Sequence, residues 1–352
     1  MYISAETLDD LLVKVYRRLL RLRGTSEINP TKGAATELNG VLLQIRNPRA
    51  RLSRTEQKST FFSCLGEFLW YLSGSDRLDF IEYYIPRYEK YSDDKVTIFG
   101  AYGPRLFNMR GINQVQNVVE LLRRRADSRR AVIQLFRAED LDSDLATRRE
   151  DIPCTCTLQL TIRTHRLHMF ATMRSNDAYL GLPHDVFAFT MLQEIIARSL
   201  NVEVGGYKHA IGSLHLYSSN TEEAQRYIDE GLQARIAMPS MPPGDPWPAL
   251  KALIRAEQAI RSGRRPSMAK LDPYWADLVR LLRIYRYSRG NRLSNLKAIV
   301  SLKNEMQSEV YETYIQKRER QLAPAVQPVE DLLFDPAELD AGMESLSSES
   351  DG

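Results

Sequence analysis

Residues 156–175, CTLQLTIRTHRLHMFATMRS, followed at 183–201 by PHDVFAFTMLQEIIARSLN, decide the fold. The first stretch is strand-like on either side of Thr164–Arg166, which predicts a β-hairpin. The second is apolar around much of its circumference, as a helix buried over much of its face must be. Outward from these, LDDLLVKVYRRLLRL (8–22) spaces its apolar residues as an amphipathic helix. ELNGVLLQIRNPRARLS (37–53) nearly alternates around Gly40 and reads as strand, turn and loop, and FFSCLGEFLWYLSG (61–74) as an apolar helix closed by Gly74. AVIQLF (131–136) and KHAIGSLHLYSSN (208–220) read as short strands. Strands and helices alternate irregularly, which predicts an α/β protein of the α+β kind, in three layers, and not a doubly wound sheet.

The chain has 352 residues, 43% of them hydrophobic and 26% charged, enough apolar material for a full core. Its longest apolar runs are broken well short of a membrane span, and MYISAETLDDLL lacks the layout of a signal peptide. Three cysteines (Cys64, Cys154, Cys156) cannot build a disulfide framework, which fits a reducing, cytoplasmic compartment. Net charge is only +3, but there is no basic residue after Arg320, so the rest is more basic than the total implies. YRRLLRLRG, RNPRARLSR, LLRRRADSRR and IRSGRRP fit solvated faces; they also fit phosphorylated ligands or nucleic acid.

Proline and glycine concentrate in AMPSMPPGDPWPAL (237–250). The expected units are therefore a domain over 1–236, a linker over 237–248, a charged helical extension over 249–320 and an acidic tail over 321–352 that reads as disordered. Cys-x-Cys with scattered histidines matches no metal site, and there is no glycine-rich phosphate loop.

What remains is a polar run in apolar surroundings, MRSNDAYLGLPHDVFAF (173–189), carrying Arg174, Ser175, Asp177 and Asp185 from a strand into the buried helix. An acid at a helix start is most often a cap. IPC (152–154), the Arg174–Ser175 pair, Asp177 with LGLP, and GSLHLYSSN (212–220), together with GEFLWYLSG (66–74), YGPR (102–105) and DSRR (127–130), resemble the thymidylate synthase family. The resemblance covers roughly residues 30–220 in consistent order. It implies that family's three-layer fold with a mixed sheet, and a homodimer formed through the sheet.

The chemistry calls for an activated thiol. Carbon 5 of a pyrimidine is a poor nucleophile until a thiolate adds to carbon 6, after which it can attack the one-carbon unit of 5,10-methylenetetrahydrofolate. The resemblance makes Cys154 that nucleophile, with arginines expected to lower its pKa; Cys156 is read as a packed small residue. By the same resemblance Glu67 organises water and protons at the pyrimidine and Tyr102 shuttles a proton. Arg129, Arg130, Arg174 and Ser175 clamp the phosphate, the fork of arginine suiting a monophosphate. Arg129 and Arg130 are implied to reach the partner subunit's site. Gln159, His215 and Tyr217 are assigned to substrate, and Asp177 and Tyr88 to folate; no metal is implied.

The informative departure is Asp185, where thymidylate synthases carry an asparagine that reads the uracil edge. Cytosine reverses that edge, and an aspartate accepts from its amine and, when protonated, donates to its ring nitrogen. Family members with aspartate here are dCMP and CMP hydroxymethylases. Tyr88 and Tyr91 stand where synthases carry a tryptophan pair over the folate, Lys32 where they carry a loop arginine, and His184 where phenylalanine is usual. The leading expectation is hydroxymethylation of dCMP or CMP. The alternatives are thymidylate synthase or another C5 methylase, and a nucleotide- or nucleic-acid-binding protein without catalysis, which the joint presence of Cys154, Glu67, Tyr102 and the arginines opposes. Membrane binding is not expected.

Overall fold

In a computed structural model that describes residues 1–30, 32–56, 60–268, 271–290 and 293–322, seven strands form one mixed sheet. They are β1 (Tyr2–Ala5), β2 (Glu27–Ile28), β3 (Ala35–Ile45), β4 (Val132–Gln134), β5 (Thr155–Arg163), β6 (Arg166–Asp177) and β7 (Glu203–Tyr217). The order is β1-β3-β7-β6-β5-β4, with β2 beside β3. β1 with β3 and β6 with β7 are parallel, and the other pairs antiparallel.

The expected hairpin is β5–β6. Arg163 pairs with Arg166, and Thr164 and His165 both take positive φ (47° and 59°), the two-residue turn whose twist matches that of the strands. The strand, turn and loop expected over 37–53 are there: β3 runs through Gly40, whose φ is 64°, and pairing with β7 resumes on both sides at Asn39–Ser213 and Val41–Ile211. One expectation is corrected: the strand at 208–220 is not short. β7 runs for 15 residues because β3 and β6 pair along its length.

Among the described residues the helices are α1 (Leu8–Arg21), α2 (Phe61–Leu72), α3 (Leu78–Tyr84), α4 (Tyr102–Phe107), α5 (Gln114–Arg124), α6 (Ala138–Ala146), α7 (Leu182–Ser199), α8 (Thr221–Asp229), α9 (Trp247–Arg261), α10 (Pro273–Ser288), α11 (Leu293–Asn304) and α12 (Glu312–Leu322). Every residue of α7 from Leu182 to Ala197 is buried, because the sheet lies on one side of it and α2 on the other. Leu158, Leu160, Leu167, Met169 and Ala171 are buried, at most 2% exposed, while alternating residues such as Gln159 and Phe170 face away.

The 249–320 region packs onto the far side of α2. The Tyr285 ring stacks on Tyr84 and Phe62 with centroids 5.2 and 5.6 Å away, Tyr84 donates to Glu257 (2.9 Å), and Tyr314 donates to the Ser53 carbonyl (2.6 Å). Leu253, Leu278 and Leu282 join the same apolar core as α7. Each such buried leucine contributes roughly 1.5–3 kcal/mol by leaving water. Met238 and Met241 in the proline-rich segment are buried too. The acidic tail lies outside the described residues.

Candidate active site

Cys154 precedes the first residue of β5, in a loop tied to β6 through the Arg174 side chain. Arg174 donates from Nε to the Pro153 carbonyl (3.0 Å) and from Nη2 to that of Ile152 (2.9 Å). Burial dominates the thiol and pushes it up to about 11, against the pull of Arg174 and Lys32; Asp151 and Asp185 push the same way as burial. Arg174 acts in the expected direction, but burial outweighs it and the thiol of the single chain is raised, not depressed. Cys156 is only half-buried, and its carbonyl accepts from Leu135. Tyr102, at the start of α4, accepts from the backbone N–H (3.1 Å) and hydroxyl (2.9 Å) of Thr155, which places it beside the cysteine loop.

α2 and α7 bring Glu67, His184 and Asp185 together, all at most 9% exposed. Glu67 Oε2 meets His184 Nδ1 at 2.5 Å, and its Oε1 accepts from Tyr71 (3.0 Å) and from Tyr88. Burial alone would raise the Glu67 carboxyl, but His184 and the two tyrosines hold it below its usual range. Burial would lower His184, yet Cys64 and Glu67 raise it to about 10, so the pair is carboxylate with imidazolium. His184 Nε2 lies 3.3 Å from the Ser63 hydroxyl. Asp185 takes the opposite state: burial, reinforced by the Glu67 charge, pushes it up to about 8 despite a 2.9 Å bond from Asn176 Nδ2. Of two neighbouring acids, one is ionised and the other neutral, an arrangement suited to general acid–base work.

Of the remaining candidates, those on β6 and β7 and the Lys32–Tyr88–Tyr91 group form a rim, whereas the described contacts do not bring Arg129, Arg130 and Gln159 to it. Ser175 Oγ lies 3.5 Å from His215 Nδ1, and the His215 and Tyr217 rings meet edge to face at 4.9 Å. Asp177 Oδ1 accepts from the backbone of Tyr179 (2.8 Å) and Leu180 (2.9 Å), so one oxygen already shapes the turn into α7. Lys32 Nζ stands 4.0 Å from the centre of the Tyr91 ring. Tyr88 gives its hydroxyl to Glu67 while its ring meets those of Trp70 and Tyr91. Arg129 and Arg130 are exposed in the turn before β4. Gln159 lies along β5, on the face opposite Leu158 and Leu160, and donates to the Arg129 carbonyl (3.1 Å).

Sequence reasoning gave His184 little weight and passed over Asp151 and Asn176. The signals were present: an acid three residues before the cysteine in REDIPC, and a histidine beside Asp185. Among the described residues no group of three or more His, Cys, Asp or Glu is arranged to hold a metal, and no helix is long and apolar enough to cross a membrane.

Known proteins are similar to this chain in sequence. The chain is 32% identical over 217 residues to a protein of Delftia phage PhiW-14 described as deoxyuridylate hydroxymethyltransferase, covering 58% of this chain and 60% of that one. It is 33% identical over 164 residues to a protein of the same description from Pseudomonas phage M6, 46% of each chain. To the thymidylate synthase of Francisella philomiragia it is 25% identical over 234 residues, covering 60% of this chain and 82% of that one. The chain thus spans less than two thirds of the length of either phage relative. The thymidylate synthase family model matches residues 23–241, a span that holds the cysteine loop, both carboxyl-bearing helices and the whole rim, and this chain belongs to the thymidylate synthase family.

Proposed function

We propose that this chain transfers a one-carbon unit from 5,10-methylenetetrahydrofolate to carbon 5 of a pyrimidine nucleoside monophosphate, and that it hydroxymethylates dCMP or CMP. Cys154 adds to carbon 6. Tyr102 and the ionised Glu67 move protons at the ring, Arg174 and Ser175 hold the phosphate with Arg129 and Arg130 of a second copy, and His215 and Tyr217 hold the sugar. Tyr88, Tyr91 and Asp177 border the folate side.

The observation that carries the cytosine reading is Asp185 itself, an acid buried in the first turn of α7, where burial and the Glu67 charge raise its carboxyl. When a thiolate adds to carbon 6 of cytosine, electron density moves to ring nitrogen 3, which must then take a proton. A carboxylic acid supplies that proton and accepts from the exocyclic amine, whereas an asparagine amide cannot give one up. The raised Cys154 thiol fits a nucleophile that loses its proton only when the nucleotide fills the pocket.

A second reading, hydroxymethylation of dUMP, is favoured by the descriptions of both phage relatives. A neutral carboxyl also offers uracil one donor and one acceptor. The two are separated by incubating the enzyme with methylenetetrahydrofolate and carbon-5-tritiated dCMP, CMP or dUMP, and weighing the products. Tritium release from a cytosine nucleotide, with a product heavier by CH2O, is expected. Release from dUMP alone overturns the cytosine reading, and a product heavier by CH2 overturns hydroxymethylation.

A further inference from the structure

Asp151 is an acid that the reaction described so far does not use. It begins the DIPC loop, so the carbonyls that hold Arg174 and the Cys154 thiol follow it directly. Its carboxyl lies against the backbone of Gly100, where a Cβ would stand 2.3 Å from Oδ2 and 2.9 Å from Cγ. Any other residue at 100 would drive the carboxyl out. Gly100 and Ala101 lead into Tyr102, whose hydroxyl is held by Thr155. The carboxyl is thereby wedged between the two loops that carry the nucleophile and the tyrosine.

Several fully buried carboxylates have dedicated partners. Asp140 takes two bonds from Arg105 (2.6 and 3.0 Å), and Glu257 takes bonds from Arg261 and Tyr84. Among the described residues Asp151 accepts no hydrogen bond; besides burial, the charges of Lys32, Arg105, Arg174 and Asp93 act on it. Arg105 is committed to Asp140, Arg174 bonds the adjacent carbonyls, and Lys32 lies over Tyr91. Asp151 in turn acts on both Cys154 and Tyr88. A half-buried acid with no donor from the chain is left to be served by water or a ligand.

We propose that Asp151 is a catalytic residue that orients and deprotonates the water completing hydroxymethylation; this rests on the reaction read above. The substrate at that point carries an exocyclic methylene on carbon 5 and the Cys154 sulfur on carbon 6. Water oxygen bonds to the methylene carbon while one water proton passes to the Asp151 carboxylate. The exocyclic double-bond pair moves onto the ring, reforms the carbon 5–carbon 6 double bond and expels the thiolate. The product is the 5-hydroxymethyl nucleotide, with Cys154 as thiolate and Asp151 as acid, and no oxidant or reductant is consumed. Burial, the largest influence on Asp151, raises its carboxyl and so strengthens it as a base.

Asp151→Asn keeps the shape and removes the base. Tritium release from carbon 5 precedes the attack of water, so its first-turnover burst, one equivalent per site, should keep close to the wild-type rate, while steady-state hydroxymethyl product falls about 100-fold. A small thiol added to the reaction should then appear on the methylene as a 5-thiomethyl nucleotide, read by mass. Asp151→Ala, with formate restoring hydroxymethyl product, provides the same test if the asparagine variant folds poorly. A parallel fall of the first-turnover tritium burst and product, with no rescue by formate, overturns the role of Asp151 alone. A wild-type enzyme that makes no hydroxymethyl product overturns the underlying reading as well.

Discussion

Helix α7 buries two carboxyls, Asp185 in its first turn and Glu194 farther along, and treats them in opposite ways. Glu194 forms an ion pair with Arg51, both side chains being 0% exposed, and accepts from the Met241 backbone (2.9 Å). Asp185 has only the Asn176 amide and is held neutral. The same helix thus carries a closed site, whose partners all come from the chain, and an open one, where the chain gives Asp185 only the Asn176 amide. Burial is equally costly at both; what differs is who compensates it. The closed end locks the 237–248 segment to the core, and the open end keeps a proton available.

Breaking the closed end should have the larger effect. Arg51 Nε and Nη1 already lack partners, so Glu194→Ala would leave a buried guanidinium with nothing. The expected loss is about 3–5 kcal/mol in unfolding free energy, followed by urea titration, with base preference unchanged. Replacing both Arg51 and Glu194 by methionine should recover most of it. A single variant as stable as the parent would show that the pair is not what closes this end.

The two ends also differ in how far they could be read from sequence. The hairpin and α7 were legible because their periodicities of two and 3.6 are local and strong. The length of β7 was not, since it depends on neighbours distant in sequence. In the site, Cys154, Glu67, Tyr102 and Asp185 were reached through ordered motifs. Their charges were not: the Cys154 thiol is raised by burial that no motif encodes, and the Glu67–His184 pair joins helices over a hundred residues apart. Tyr88 was read for its ring, but its hydroxyl is bound to Glu67.

At the open end, Asp185→Asn should shift preference from cytosine towards uracil nucleotides by about 10- to 100-fold, the equivalent of one or two mispaired buried groups. It should also change how stability follows pH. The native carboxyl binds its proton up to about pH 8, whereas an unfolded one releases it near 3.8, so the native state holds the extra proton between those values. Wild-type stability therefore falls as pH rises through that window. The asparagine variant should lose that fall, visible as a melting temperature that holds up better from pH 5 to pH 8. An unchanged slope would mean that Asp185 is ionised and that the cytosine reading has lost its acid.

The smallest effect is expected one residue earlier, and it tests whether the open end is organised by charge or by hydrogen bonding alone. His184→Gln keeps a donor for Glu67 but removes the positive charge. Burial, the largest influence on Glu67, would then be opposed only by hydrogen bonds, and the carboxyl should move upward from its depressed position. If ionised Glu67 is needed at the pyrimidine, the acid limb of the tritium-release profile moves to higher pH while the plateau rate changes little. At pH 7 the loss should stay under about tenfold, since each unit of displacement is worth a factor of ten at most. Glu194→Gln, at the closed end of the same helix, should leave that limb in place. A limb that stays put in His184→Gln would assign the ionisation of Glu67 to Tyr71 and Tyr88, and would leave His184 as a packing partner of Ser63.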